Sequence, residues 1–149
     1  MNGSWCGQMK YSGSTKGFSL IELMIVVAII AVLTAIAYPS YSRHIIKTRR
    51  AAATACLSQY ANYMERYYTT NMAYNKAGTT DNVLPNLDCR SVQQTGNYYG
   101  YDFGTPTAST YTLTATPKSG SAQASDSCGA LTLDQTGARN AAGGVANCW

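Results

Sequence analysis

Charged side chains are scarce in this sequence, where they make up 12% of 149 residues against 46% hydrophobic ones. The single histidine, His44, stands among basic residues, and no Ser, Asp or Cys forms a nucleophile arrangement with it. A phosphate-binding glycine loop, a clustered pair of carboxylates and an internal repeat are also absent. These absences argue against an enzyme, so we expect neither catalytic residues nor a cofactor.

Charge is almost absent from one long stretch. From Phe18 to Tyr38 there are 21 residues whose only charged side chain is Glu22. At about 1.5 Å per residue they form a helix of roughly 31 Å, enough to cross the hydrocarbon core of a bilayer. A cleaved secretory signal has a shorter apolar core, so the sequence predicts a membrane segment. An acid inside it costs on the order of 3 kcal/mol and therefore indicates a function, unless it simply reaches the headgroups.

The run KGFSLIELMIVVAIIAVLTAIAYPSY resembles the N-terminal signature of type IV pilins: a basic leader ending in Gly, then Phe, then Glu as the fifth mature residue. The resemblance implies that a prepilin peptidase cleaves between Gly17 and Phe18 and methylates the new amino terminus. It also implies that subunits bundle their helices into a filament, where Glu22 pairs with the Phe18 amine of a neighbour. Residues 1–17 would be the leader, and Met9 would serve equally well as its start.

Helical signals continue beyond Pro39, which we expect to kink or interrupt the helix. Over residues 40–70 apolar side chains recur on one side, which predicts an amphipathic helix packed on a sheet. The members of this stripe are Ile46, Ala53, Leu57, Tyr60, Met64 and Tyr67.

The rest of the chain predicts a loop followed by a sheet. Residues 71–97 are rich in Thr, Asn and Gly without a sustained period, which indicates a long connection. Residues 98–149, together with Asn97 just before them, contain the strand-like segments NYYGYDF, STYTLTATP and GALTLDQTG. In the second of these, Tyr111, Leu113 and Ala115 are expected to face the helix.

The predicted fold class is therefore α+β, with a long N-terminal helix packed on an antiparallel sheet of three to four strands, as in the type IV pilin fold. Residues 18–39 would form the transmembrane and filament-core half of the helix. Residues 40–149 would form a globular domain in the periplasm.

Four cysteines follow the expected cleavage site, and an even number in a small exported domain indicates two disulfides with three pairings open. We expect Cys56–Cys89, which would tie the loop to the helix, and Cys128–Cys148, which would hold the C-terminal tail. A four-cysteine zinc site is the alternative, but no C-x-x-C spacing exists, so we predict no metal site.

The disulfides indicate the periplasm, whereas the positive-inside rule gives no support for that side. Four cations follow the membrane run and outnumber the two that precede it. These residues are Arg43, Lys47, Arg49 and Arg50 after the run, and Lys10 and Lys16 before it. We expect a single-pass protein of a Gram-negative inner membrane that later enters an extracellular pilus.

The C-terminal strings STYTLTATP, SDSCGALTLDQTGARNAAGG and NCW, with MERYY in the helix, resemble PilE-type minor pilins of type IVa pili. The resemblance implies a structural subunit whose partners are other major and minor pilins, the prepilin peptidase, the inner-membrane assembly platform and the membrane itself.

Two other functions stay open: a type II secretion pseudopilin, which shares the N-terminal signature, and a DNA-binding minor pilin for natural transformation. A filament would bury the cations next to the membrane run, so DNA contacts are expected in the exposed domain, at Lys76, Arg90, Lys118 and Arg139. Four scattered charges are also ordinary surface, which makes DNA binding the less favoured hypothesis.

Overall fold

The computed structural model of the protein describes residues 17–149. The leader as far as Lys16, with Cys6 and Met9, lies outside the described residues. Helix α1 comprises Leu20–Asn71, and the chain divides into two compact units between Pro39 and Ser40.

The part of α1 before Pro39 exposes its apolar side chains. Phe18 is 75% exposed, and Leu20, Ile30 and Ile36 are exposed as well. Within the described residues, only α1 is long and apolar enough to cross a membrane, judged by length and composition.

Pro39 lies inside α1, so the helix is not interrupted there as the sequence suggested. A proline removes a single backbone donor, and the peptide groups on either side keep their own helical hydrogen bonds. A kink at Pro39 stays a prediction.

The second unit contains two antiparallel sheets. A short hairpin pairs β1 (Lys76–Ala77) with β2 (Thr80–Asp81). The main sheet has the order β3-β4-β5-β6. Its strands are β3 (Tyr99–Asp102), β4 (Thr112–Pro117), β5 (Leu131–Asp134) and β6 (Arg139–Ala141). A one-turn helix, α2 (Val145–Cys148), ends the chain.

The core of this unit lies between α1 and one face of the main sheet. On the helix, Ala53, Leu57, Tyr60 and Met64 of the predicted stripe are buried. The sheet contributes alternate residues, because successive side chains of a strand point to opposite faces. Its buried members are Tyr99, Tyr101, Leu113, Ala115, Leu131, Leu133 and Ala141, and Tyr111, just before β4, is buried as well.

Two pairs of cysteines are bonded. Cys56 on α1 is joined to Cys89, and Cys128 is joined to Cys148 on α2. The first bond ties the loop after α1 to the helix, and the second ties the C-terminal turn to the segment before β5. Bonds of this kind typically contribute about 2 to 4 kcal/mol to stability.

The sequence did not predict β6 or the β1–β2 hairpin. The β6 segment, Arg-Asn-Ala, contains no β-branched or aromatic residue, and it forms because β5 offers it a free edge. The hairpin is two residues long on each side and turns at Gly78, whose φ of 63° favours glycine.

Met72 ends α1 in a left-handed conformation, with φ 55°, and its N–H donates to the Tyr68 carbonyl. Glycine is the usual residue at such a helix C-terminus. We expect Met72→Gly to raise the free energy of unfolding by roughly 0.5 to 1 kcal/mol, because a Cβ is strained at this backbone conformation. Denaturant unfolding of the detergent-solubilised chain measures the change. Met72→Ala keeps the Cβ and serves as the control, so an equal gain from alanine would contradict the explanation.

Candidate assembly and nucleic-acid surfaces

The segment around the predicted cleavage site leads directly into α1. Gly17, Phe18 and Ser19 precede the helix, and the Glu22 N–H donates to Ser19 Oγ at 3.3 Å. Ser19 is therefore the N-cap, and Glu22 occupies the third helical position. A Ser three residues before a Glu is the capping-box pattern. This signal is present in the sequence, but the start of the helix was not predicted from it.

Glu22 therefore has a local role besides the one implied by the resemblance. A carboxylate in the first turn of a helix is stabilised by the positive end of the helix dipole. The same first turn would lie beside the new amine once the chain is cleaved before Phe18. Pairing of Glu22 with that amine stays a prediction, and its test has to separate the capping role of Glu22 from its charge.

The basic residues that follow the membrane run do not act as one cluster. Arg50 forms two hydrogen bonds with Asp126, at 2.9 Å from Nε to Oδ2 and 2.5 Å from Nη2 to Oδ1, and its Nη1 donates to the Asn147 carbonyl. Both side chains are largely shielded, with exposed fractions of 12% for Arg50 and 1% for Asp126. This pair connects α1 to the segment that carries the second disulfide.

Asp126 collects further donors from its surroundings. It accepts from Gln123 Nε2 at 2.8 Å, from the Tyr99 hydroxyl at 3.3 Å and from the Cys128 N–H at 3.1 Å. Burial by itself would raise the pKa of Asp126, but the hydrogen bonds from Arg50 and Cys128 outweigh it and the pKa lies below its ordinary value. The Asp126 hydrogen bond raises the pKa of Arg50.

Asp126→Asn is expected to lower the free energy of unfolding by about 3 kcal/mol at neutral pH, because it leaves the shielded Arg50 charge without its partner. A carboxyl with a depressed folded pKa stabilises the fold above its unfolded pKa of about 3.9, and this contribution is lost as the pH falls further. The parent chain should therefore lose stability below about pH 4, and the variant should lose less. Denaturant unfolding at neutral and acid pH measures both. Asp81→Asn, in an exposed pair, is the matched control; equal effects of the two changes would contradict the role of Asp126.

The four predicted DNA contacts do not form one strip. Arg139 is opposite Leu133 in the sheet, and Leu133 is opposite Leu113. Lys118 lies five residues further along than Leu113, which is about 17 Å of strand. Arg139 and Lys118 are therefore near opposite ends of the sheet.

Two of the predicted contacts also have local partners. Lys76 is 3.7 Å from Asp81 across the hairpin, so the Asp81 carboxylate offsets the positive charge of Lys76 at this surface. The Arg139 guanidinium lies 5.2 Å from the centroid of the Trp149 ring.

The structure connects the backbone at Arg90 to Lys118 through Gly96. The Lys118 ammonium donates to the Gly96 carbonyl, and the backbone N–H of Lys118 donates to the Tyr98 carbonyl at 2.8 Å. Gly96 lies so close to the Arg90 carbonyl that a Cβ would not fit there. On the other side, Arg49 lies over the Tyr98 ring at 3.7 Å. We call Arg49, Arg90, Tyr98 and Lys118 the Tyr98 cluster.

The Tyr98 cluster combines three cations with one partly exposed aromatic side chain, which is a combination that suits phosphates and stacked bases. Tyr98 was not among the residues expected to contact DNA, and Arg49 was set aside with the other cations next to the membrane run; 49 residues separate the two along the chain. The outer face of the main sheet differs sharply. Its strand residues include Thr112, Thr114, Thr116 and Thr132, with Asp102 and Asp134, and no Lys or Arg.

Two family profiles match the chain. One, described as a prokaryotic N-terminal methylation motif, covers residues 13–38. The other, described as type IV minor pilin ComP, DNA uptake sequence receptor, covers residues 39–132. The chain belongs to the type IV pilin family. The predicted resemblance is thereby confirmed.

Curated pilins are similar to parts of this pilin. The type IV major pilin PilA of Myxococcus xanthus is 29% identical over 92 residues, 62% of this chain and 38% of the relative. The type IV major pilin PilE of Neisseria gonorrhoeae is 34% identical over 68 residues, 46% of this chain and 41% of the relative. The type IV major fimbrial protein FimA of Dichelobacter nodosus is 62% identical over 34 residues, 23% and 22% of the two chains. For the first relatives, the match spans 35% to 44% of their length.

Solved pilin structures resemble this pilin as well. The non-core minor pilin PilV of Neisseria meningitidis superposes with a TM-score of 0.51 at 22% identity and covers 68% of this chain and 90% of its own. A type IV pilin of Shewanella oneidensis is 31% identical, with a TM-score of 0.48 and coverages of 70% and 97%. The likeness to PilV and the four-stranded sheet confirm the predicted fold class.

Proposed function

We propose that this pilin is a minor subunit of a type IV pilus, cleaved between Gly17 and Phe18, held in the inner membrane, and then packed into a filament through α1. One observation carries the proposal. The methylation motif over residues 13–38 coincides with the part of α1 whose apolar side chains are all exposed. Such a surface needs either lipid or neighbouring helices around it.

Cleavage would change the electrostatics of the helix start. The new amine on Phe18 brings a positive charge to the end where the helix dipole is also positive, and Glu22 is the only described acid before Glu65. A charge in apolar surroundings is costly alone and less costly when paired. Pairing of Glu22 with a neighbour's amine therefore favours one axial stagger between subunits.

Three observations bear on the choice between a minor subunit and the other hypotheses. The family profile that matches residues 39–132 describes a minor pilin, and the similar PilV of Neisseria meningitidis is a minor pilin too. The curated relatives include major pilins, although each match covers less than half of the relative. No feature of the described residues favours a type II secretion pseudopilin specifically.

Glu22→Gln should leave the subunit folded and held in the membrane but reduce its amount in sheared pili at least tenfold, because glutamine preserves the capping box and removes the charge. Immunoblots of membrane and pilus fractions measure the distribution. Ser19→Ala removes the cap and keeps the charge, so its incorporation should stay near that of the parent. Normal incorporation of Glu22→Gln would refute the pairing.

Mass spectrometry should find an N-methylated Phe18 in every variant that is processed, and an intact leader would refute the cleavage site.

DNA binding is the second candidate function, and the Tyr98 cluster is the observation that favours it. The profile matched over residues 39–132 describes a DNA uptake sequence receptor. Of the residues expected to contact DNA, Arg90 and Lys118 belong to the cluster, whereas Lys76 and Arg139 lie elsewhere. We therefore infer that DNA, if it is a ligand, meets the protein at the Tyr98 cluster.

Replacing Arg90 and Lys118 by Gln should weaken duplex DNA binding about tenfold or more and reduce the slope of affinity against salt by about two, one per lost phosphate contact. Fluorescence anisotropy at several salt concentrations measures both quantities. The double replacement of Lys76 and Arg139 by Gln removes the same charge and should change little. Equal losses of affinity in the two double variants would show that net charge, not the Tyr98 cluster, determines binding. If the parent does not bind duplex DNA, this function is refuted.

A further inference from the structure

The start of the second unit carries an unusual concentration of positive charge. Between Glu22 and Glu65 the chain has no acidic residue, yet it places Arg43, Lys47, Arg49 and Arg50 within eight positions. In a periplasmic segment directly after a membrane run, such a group runs against the usual distribution of basic residues. It therefore calls for a role of its own.

The structure sorts these cations into two sets. Arg49 and Arg50 are directed to the domain, where they meet Tyr98 and Asp126. Arg43, His44 and Lys47 are exposed. Arg43 and Lys47 are four residues apart, so they share one side of the helix. We call Arg43, His44 and Lys47 the outer basic face.

Aromatic residues complete the pattern. Tyr38 is 77% exposed and Tyr41 is 65% exposed. Tyrosines of this kind are enriched where a membrane helix leaves the hydrocarbon core. Lysine and arginine at the same level extend their charged ends toward the headgroups.

The distance along the helix from Tyr38 to the first cation agrees with the depth of the lipid headgroup region. Arg43 follows Tyr38 by five residues, which advance about 7.5 Å in a helix. The headgroup region adds roughly 5 to 8 Å on each side of the hydrocarbon core. A membrane run that ends at Tyr38 thus brings Arg43 to the outer limit of the headgroups. Lys47 starts about 13.5 Å beyond Tyr38, and its long side chain, which leans toward the N-terminal end of the helix, extends back toward the same level.

We propose that the outer basic face binds the phosphates of anionic phospholipids in the periplasmic leaflet of the inner membrane. The proposal rests on the membrane storage proposed above and adds the lipid class that the stored subunit contacts. Its carriers are Arg43 and Lys47 as cations, with His44 as a polar neighbour. Each cation near an anionic surface strengthens association about fivefold, so two give a measurable preference.

The test uses the full chain in vesicles of phosphatidylcholine or of an equal mixture with phosphatidylglycerol. A water-soluble amine reagent modifies exposed lysines, and mass spectrometry of peptides gives the rate at Lys47 relative to Lys76, an exposed ammonium on the distant hairpin. The reagent reaches only domains on the outside of the vesicles, so copies inserted with the domain inside do not contribute to this ratio. We expect the ratio to fall about fivefold in the anionic vesicles, to recover at high salt, and to fall less in Arg43→Gln. Arg139→Gln, with the same charge change, should behave like the parent.

The outcomes separate the two proposals. A chain that does not float with either kind of vesicle overturns membrane storage and the lipid contact with it. If the chain floats with both kinds of vesicle but the rate of modification at Lys47 relative to Lys76 is the same in each, the lipid contact alone is overturned. Stronger protection of Lys47 by short duplex DNA than by anionic vesicles would also overturn the proposal and assign this face to nucleic acid.

Discussion

The exposed apolar surface of the first half of α1 is the constraint on which the other features depend. From Phe18 to Tyr38 every described side chain is exposed. Each Å² of apolar surface kept in water costs about 25 cal/mol, so this helix is stable only where lipid or other apolar helices surround it. The proposed membrane-stored form and the proposed filament form are two answers to that one requirement. Glu22 is compatible with both because it lies at the helix start, where the helix dipole and the Ser19 cap meet and where the proposed cleavage would add an amine.

The second unit has the opposite requirement, since it is small and has to bury a core of its own. Its core is a single layer of side chains between the helix and one sheet face. Small domains with limited cores rely on added cross-links. Here the Cys56–Cys89 and Cys128–Cys148 bonds and the Arg50–Asp126 pair connect the helix, the loop and the C-terminal turn.

Much of the fold was predictable because it follows from local periodicity. The stripe at Ala53, Leu57, Tyr60 and Met64 and the alternation around Leu113 each assign a buried face from residue spacing alone. Strand β6 was not predictable, because its three residues have no strand preference and pair only against an existing edge. The Tyr98 cluster was not predictable either, since Arg49, Tyr98 and Lys118 come from a helix, a loop and a strand end.

The processing signature, the membrane run and the buried faces of helix and strands are all written in the amino-acid sequence, because neighbours within a few residues encode each of them. Which cations are neutralised and which are exposed depends instead on tertiary packing. Arg49 and Arg50 are adjacent in sequence, yet one stacks on an aromatic ring and the other pairs with a shielded carboxylate, while Lys47 stays exposed. Charge is local to a residue, but its partner is set by the packing of distant segments, so no pattern along the chain reveals it.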